Sequence, residues 1–261
     1  MRQTLVRLGI VRVIGPVESH RGLGLQDHFC WVHGDPVDYR ARLTDFLTQG
    51  LERGLRLGYA GSGRVGALRE RLSRGSMTSM GCWFVTRSAL SPSTASAGPG
   101  SPVDPAEVLR SYAAATDEAL ADGYCGLRVG EDLTDIVRTP EQQDAVACYE
   151  FLLERYTSRR PLSAMCTYRF ELGDAVTQCV CMHAAVPVGL TPFQVFARDD
   201  GAVGLLGEID LSCQVAFERA LEQVQPAPDD SSLIFDMSAI RFIDHRALLA
   251  LDAYAQSLRC R

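Results

Sequence analysis

His28-Phe29-Cys30-Trp31-Val32, followed by His33-Gly34-Asp35-Pro36, is the stretch on which the fold turns. The first five residues read as a buried strand, and Gly34-Asp35-Pro36 terminates it. Arg40 to Arg53 then carries Leu43, Phe46, Leu47 and Leu51 at helical spacing, with Gly54 as a C-cap. Leu55 to Ala60 reads as a second strand, ending in Gly61-Ser62-Gly63. Strands and helices that alternate across short Gly-rich turns predict a parallel sheet with helices on its faces.

The alternation continues along the chain. A short helix is expected over Val65 to Leu72, a third strand over Cys82 to Val85, and a surface loop over Ser91 to Pro105, which is rich in Ser, Pro, Gly and Ala. Ala106 to Asp122 places Val108, Leu109, Tyr112, Ala115 and Ala119 on one side of a helix. Gly126 to Val129 gives a fourth strand, Asp144 to Tyr156 an amphipathic helix, Ser163 to Tyr168 a fifth strand and Leu172 to His183 a final helix. Residues 1–24 are read as a tail or loosely attached strand. Near the C-terminus, Leu233 to Met237 has the form of a buried strand that delivers Asp236 to a loop. Asp244 then stands at the N-cap of a helix carrying Leu248, Leu249, Leu251, Tyr254 and Leu258.

Composition removes several function classes. All 26 basic residues are arginine, and no lysine occurs among the 261 residues. A Walker phosphate loop in its usual form and Schiff-base chemistry both need that lysine. Net charge is −6 with the arginines scattered, so direct nucleic-acid binding is not expected. No window approaches the roughly 20 apolar residues of a membrane span. Arg7 and Arg12 interrupt the apolar run Leu5 to Ile14, so a secretory signal is not expected and the cytoplasm is the expected compartment. The nine cysteines are odd in number and contain no C-x-x-C pair, which argues against a disulfide framework. G-x-S-x-G and H-E-x-x-H motifs are absent, and no enzyme activity is expected.

Two resemblances sharpen this reading. Asp27-His28-Phe29-Cys30, Phe46-Leu47-x-x-Gly50-Leu51-x-x-Gly54, Gly123-Tyr124-x-Gly126-Leu127-Arg128-Val129, Tyr149-Glu150, Ala164 to Tyr168 and His183 occur in order. Together they resemble the MEDS domain, a sensory module of methanogen and methylotroph proteins and of the dichloromethane repressor. That resemblance implies an α/β, RecA-like parallel sheet with flanking helices that lacks the phosphate loop, over residues 25–187. Gly207-Glu208-Ile209-Asp210-Leu211, Phe235-Asp236-Met237-Ser238 and Phe242-Ile243-Asp244 resemble the STAS domain of anti-sigma factor antagonists. It implies a small α/β module over residues 188–261, shortened because the family continues with another strand and helix. Relatives of that module often carry a phosphorylatable Ser or Thr where this chain has His245, so the usual switch is not expected here.

The residues selected as ligand contacts are His28, Cys30, Arg128, Glu131, Cys166, Tyr168 and His183. Most sit on strands, and ligands of open parallel sheets lie beyond the strands' C-terminal ends. The structural alternative for Arg128 is a buried pair with Glu131 or Glu150. Cys179, Cys181 and His183 raise a metal reading, completed by Cys30 or Cys166, but no metal site and no cofactor is assigned. The STAS resemblance implies a partner surface at Asp210, Ser238, Asp244, His245 and Arg246. The expected function is therefore a cytoplasmic signalling or transcription regulator. It would sense a small molecule or partner and bind an anti-sigma factor or kinase-like protein, with a homodimer compatible. The alternatives are a cysteine-based metal or redox sensor and an enzyme with a pocket at Cys30, Arg128, Glu131 and Cys166.

Overall fold

The main sheet contains β1 (Gly15–Val17), β2 (His28–His33), β3 (Arg56–Gly61), β4 (Cys82–Thr86), β5 (Leu127–Asp132), β6 (Leu162–Arg169) and β7 (Ala185–Pro187). They are ordered β1-β7-β2-β6-β5-β3-β4, and every neighbouring pair is parallel. The arrangement is compatible with a RecA-like sheet. This computed structural model describes residues 12–61, 82–86, 101–225 and 233–259. The helix expected over residues 65–72 and most of the loop expected over residues 91–105 lie outside them.

Three long helices flank the sheet: α1 (Pro36–Glu52), α2 (Pro105–Ala121) and α3 (Pro140–Thr157). Each begins with proline behind a side-chain cap, from Asp35, Asp104 and Thr139 respectively. Proline at the first helical position has no N–H to lose, and the cap satisfies the orphan amides that follow. For this reason α1 and α3 start four residues before the expected Arg40 and Asp144. The link from β2 to α1 is short, and the Asp35 carboxylate accepts from Val37 N at 2.8 Å. A carboxylate thus occupies the helix start where a phosphate would need free amides.

Helix α1 covers one face of the sheet, against β2, β3 and β5, while α2 and α3 cover the other. Helix α3 also packs on a second, smaller sheet, so residues on every side of it are buried. That sheet joins β8 (Phe193–Ala197), β9 (Val203–Ile209) and β10 (Phe235–Ile243) in the order β10-β9-β8. β8 pairs antiparallel with β9, and β9 pairs parallel with β10. α5 (Gln214–Gln223) connects β9 to β10, and α6 (His245–Arg259) follows β10. One continuous apolar core runs from the α3 face of the main sheet into this region, including Phe193, Val195, Phe217 and Leu251. No helix among the described residues is long and apolar enough to cross a membrane.

Two local expectations are corrected. Leu172 to His183 is not one helix: a 3-10 turn at Phe170–Leu172 ends at Gly173, whose φ is +54°, and α4 spans only Asp174–Val180. The glycine takes a left-handed conformation that breaks helical continuity. His183 therefore sits in a turn. The stretch from Leu233 is likewise not a buried strand followed by a loop. β10 runs unbroken to Ile243, with register shifts between Asp236 and Ala239 and between Ile240 and Phe242. It is a half-exposed edge strand, and the bulges let it continue where a regular ladder would stop.

Candidate functional site

The α3 face of the main sheet carries a dense cluster of polar side chains with no solvent access. Register creates it. Cys166 on β6 lies between Glu131 on β5 and Cys30 on β2, its two ladder partners. His28 and Tyr168 lie two residues from Cys30 and Cys166, so strand alternation turns them to the same face. Helix α3 lays Glu150 and Glu154 across this surface, four residues apart and hence on one side of the helix. α2 adds Tyr112, and the turn after α4 adds His183. His28, Glu131, Glu150, Glu154 and His183 are all fully buried.

Contacts within the cluster are close. His28 Nδ1 is 2.8 Å from Glu154 Oε2, while its Nε2 is 3.1 Å from Glu150 Oε2 and 3.2 Å from Cys166 Sγ. Cys166 Sγ also lies 3.2 Å from Glu150 Oε2 and 3.3 Å from Glu131 Oε2. His183 Nδ1 is 3.0 Å from the Cys179 carbonyl oxygen, which fixes its ring 4.1 Å from the His28 ring. The other nitrogen of His183, Nε2, makes no hydrogen bond, and Glu150 Oε2 is 3.4 Å away. Tyr168 donates to the second oxygen of Glu150. Tyr149 donates to both oxygens of Glu131 at 2.9 and 2.8 Å, and Tyr112 donates to one of them. The Ala184 amide donates to Glu154 at 3.0 Å, and Arg12 pairs with the same carboxylate.

These contacts set the charges. Burial alone would lower the His28 imidazole, but Glu150 and Glu154 raise it to about 9. Burial would raise Glu154, yet Arg12 and His28 hold it at about 2. Glu150 is kept well below the usual carboxylate range by His183 and His28, again against burial. Burial and the charge of Glu150 push Glu131 up to about 7, opposed by its Tyr112, Tyr149 and Cys166 donors. Burial and the same two glutamates raise the Cys166 thiol well above its ordinary value. One environment thus separates Glu131 from Glu150 and Glu154, the pattern by which buried carboxyl groups acquire different roles.

Of the seven proposed ligand contacts, His28, Glu131, Cys166, Tyr168 and His183 belong to this cluster directly. Cys30 lies beside it in the core, its thiol raised by burial and by Glu150. Arg128 does not belong, and its expected pairing with Glu131 or Glu150 is corrected. Three residues apart on a strand, Arg128 and Glu131 point to opposite faces. On the α1 face Arg128 donates to the carbonyls of Leu23 (2.9 Å), Gly24 (3.0 Å) and Phe46 (3.2 Å) and to Ser163 Oγ (2.9 Å), and lies over the Phe46 ring. A Cβ on Gly50 would fall 2.6 Å from Arg128 Cδ, so glycine is what allows this approach. Because Arg128 lies on the other face, the single pocket expected to join it with Cys30, Glu131 and Cys166 does not form.

Cys179 and Cys181 do not combine with His183 through their sulfurs. Cys181 Sγ faces the Gln178 carbonyl at 3.3 Å, and only the backbone carbonyl of Cys179 meets the imidazole. Cys30, Cys125, Cys148, Cys166, Cys179, Cys181 and Cys213 are free thiols. Sequence reasoning did not select Glu150, Glu154, Tyr112, Tyr149 or Arg12 as site residues, although Tyr149-Glu150 was among the motifs it quoted. The signal for Glu154 was present in Ala145 to Glu154, where two glutamates four residues apart are the only charged residues of the segment. No local pattern announces Tyr112 or Arg12.

In the C-terminal sheet, Asp210, Asp244, His245 and Arg246 gather at the adjoining ends of β9 and β10, where the Asp244 amide donates to the Ile209 carbonyl at 2.9 Å. Asp244 caps α6 by accepting from Ala247 N at 2.8 Å, and Asp210 accepts from Ser212 N at 2.9 Å. Ser238 stands apart, back along β10 beside the first bulge.

Residues 27–184 match the family model described as the MEthanogen/methylotroph, DcmR Sensory domain, abbreviated MEDS. The matched span begins just before β2, ends immediately after His183 and stops short of the C-terminal sheet. A comparison with curated proteins returns no match. With more than half of its length matched, from the first strand of the buried cluster to its last histidine, the chain belongs to the MEDS sensory family.

Proposed function

We propose that this protein is a cytoplasmic signalling regulator that acts without turnover: its MEDS domain receives a small-molecule or protein signal, and its C-terminal sheet binds an anti-sigma factor or similar regulatory protein. Membership of the sensory family carries this reading. The output half is supported by the surface around His245. Phe242, Leu248 and Leu249 are exposed on β10 and α6, at 51%, 47% and 64%, next to the exposed His245 and Arg246. Burying each such side chain against a partner would contribute roughly 1.5–3 kcal/mol. Helix α3 packs on the main sheet and on β8 and α5, so a shift in the MEDS domain has a direct mechanical route to the small sheet. Regulation would then be a change in the population of partner-competent states.

The test is affinity capture with the intact chain from a bacterial lysate, with captured proteins identified by mass spectrometry. The expected result is an anti-sigma or kinase-like protein whose recovery falls with His245→Asp or Arg246→Glu. Equal recovery by the wild type and both variants, or saturable conversion of a metabolite by the purified protein, would overturn the reading.

A further inference from the structure

We propose that His28, Glu150, Cys166 and His183 form a four-ligand site for a divalent transition-metal ion of the zinc class. The inference goes beyond the regulatory reading and stands independently of it. One atom from each residue converges: His28 Nε2, Glu150 Oε2, Cys166 Sγ and His183 Nε2, all within 4.8 Å of one another. Four of the six separations are known individually, at 3.1, 3.2, 3.2 and 3.4 Å. A tetrahedral ion with bonds of about 2.0–2.3 Å needs ligand-to-ligand edges of about 3.3–3.6 Å. The four groups therefore require shifts of only tenths of an ångström on those edges.

The donor set has the right chemistry. Two imidazoles, a thiolate and a carboxylate suit a borderline-soft divalent ion, whereas magnesium and calcium take oxygen ligands. Each ligand is also held by a partner on its far side. Glu154 holds His28 Nδ1, the Cys179 carbonyl holds His183 Nδ1, and Tyr168 holds the other oxygen of Glu150. Such outer contacts fix ring orientation and leave Nε2 free to coordinate. The independent sign is His183: its ring is fully buried, and its Nε2, 3.4 Å from Glu150 Oε2 inside the cluster, has no hydrogen bond of good geometry among the described residues. Buried polar atoms are ordinarily satisfied, and a bound ion would satisfy this one.

On binding, Cys166 would enter as thiolate, and His28 and His183 would both coordinate through an unprotonated Nε2, so the thiol proton and any proton on either Nε2 would leave to solvent. All four positions are filled by protein, so the ion would be a clamp joining β2, α3, β6 and the turn after α4, with no open position for a substrate.

The experiment uses the full chain, stripped with a chelator and titrated with cobalt(II). The expected result is saturation at about one ion per chain with the intense visible bands of a tetrahedral thiolate site and a thiolate-to-cobalt charge-transfer band. Cys166→Ser should abolish the charge-transfer band. His183→Gln should weaken binding at least tenfold, since even outer-shell losses cost about 10–100-fold. Thermal melts with and without zinc give a readout in the wild type alone and expose any variant that fails to fold: the wild type should melt higher with zinc. Sub-stoichiometric cobalt, a six-coordinate spectrum without charge transfer, or no zinc-dependent stabilisation would overturn the proposal. So would spectra unchanged in both variants.

Discussion

On the face of the main sheet covered by α1, Arg128 is a buried charge whose donors meet neutral acceptors: three backbone carbonyls and one hydroxyl. On the face covered by α3, three carboxylates, two imidazoles and a thiol converge, and one imidazole nitrogen remains without a hydrogen bond. Both arrangements are costly to bury. Arg128 ties the segment around Leu23 and Gly24 to the sheet, and its hydrogen bonds complete a structural task. The second cluster holds more ligating atoms than its own hydrogen bonds use. A buried charge that is fully satisfied reads as architecture, and a surplus of converging donors reads as a site.

Breaking Arg128 should have the largest effect on stability. Arg128→Met leaves the Leu23, Gly24 and Phe46 carbonyls without their buried donor, and the expected loss is about 3–5 kcal/mol by urea denaturation. A change below about 1 kcal/mol would show that the tie is dispensable and erase the contrast between the faces.

The second effect is on pH dependence in chelator-treated protein. His28 has its folded value raised from 6.5 to about 9, so its stabilising contribution is present below pH 6.5 and lost as pH rises through 9. Glu131 is raised from 4.5 to about 7, so the folded state holds its proton more tightly and loses stability as pH rises between those values. Glu154 acts in the opposite sense, lowered from 4.5 to about 2, and its contribution disappears as pH falls through that window. Stability should therefore decline from pH 6 to pH 9 by an amount on the order of a few kcal/mol. Glu131→Gln should flatten the part below pH 7, and denaturant midpoints across pH would measure both. A midpoint that rises towards pH 9 would contradict the charge assignment.

The smallest stability effect belongs to the C-terminal surface. Leu249→Ser removes an exposed apolar side chain, and the melting free energy should change by no more than about 0.5 kcal/mol. If this surface binds a partner as proposed, capture should nonetheless fall, because the lost contact would exist only in the complex. A large stability loss would mean that Leu249 supports the fold instead of an interface.

The sequence showed the parallel sheet and its long helices because uninterrupted apolar runs and 3.6-residue periodicity are local signals. Helix starts were misplaced by four residues in α1 and α3, since a proline and a polar cap add a turn that carries no apolar periodicity. Phe193–Ala197 passed unrecognised because Phe-Gln-Val-Phe-Ala resembles core packing of any kind. In the site, His28 and Cys166 were legible as chemically capable residues on strands, and His183 as one at the end of an expected helix. Their convergence was not, because His183 is 155 positions from His28 along the chain.

What the sequence determined by itself is the class of the protein: an α/β chain without lysine, carrying the ordered motifs of a sensory family. These properties reside in single residues and short spacings. Tertiary structure alone decided that Arg128 and Glu131 part company across the sheet, that two glutamates of α3 meet two distant histidines, and that β10 lies open at an edge. Register and layer packing set those relations, and both depend on which strands become neighbours, a choice made by the whole core at once.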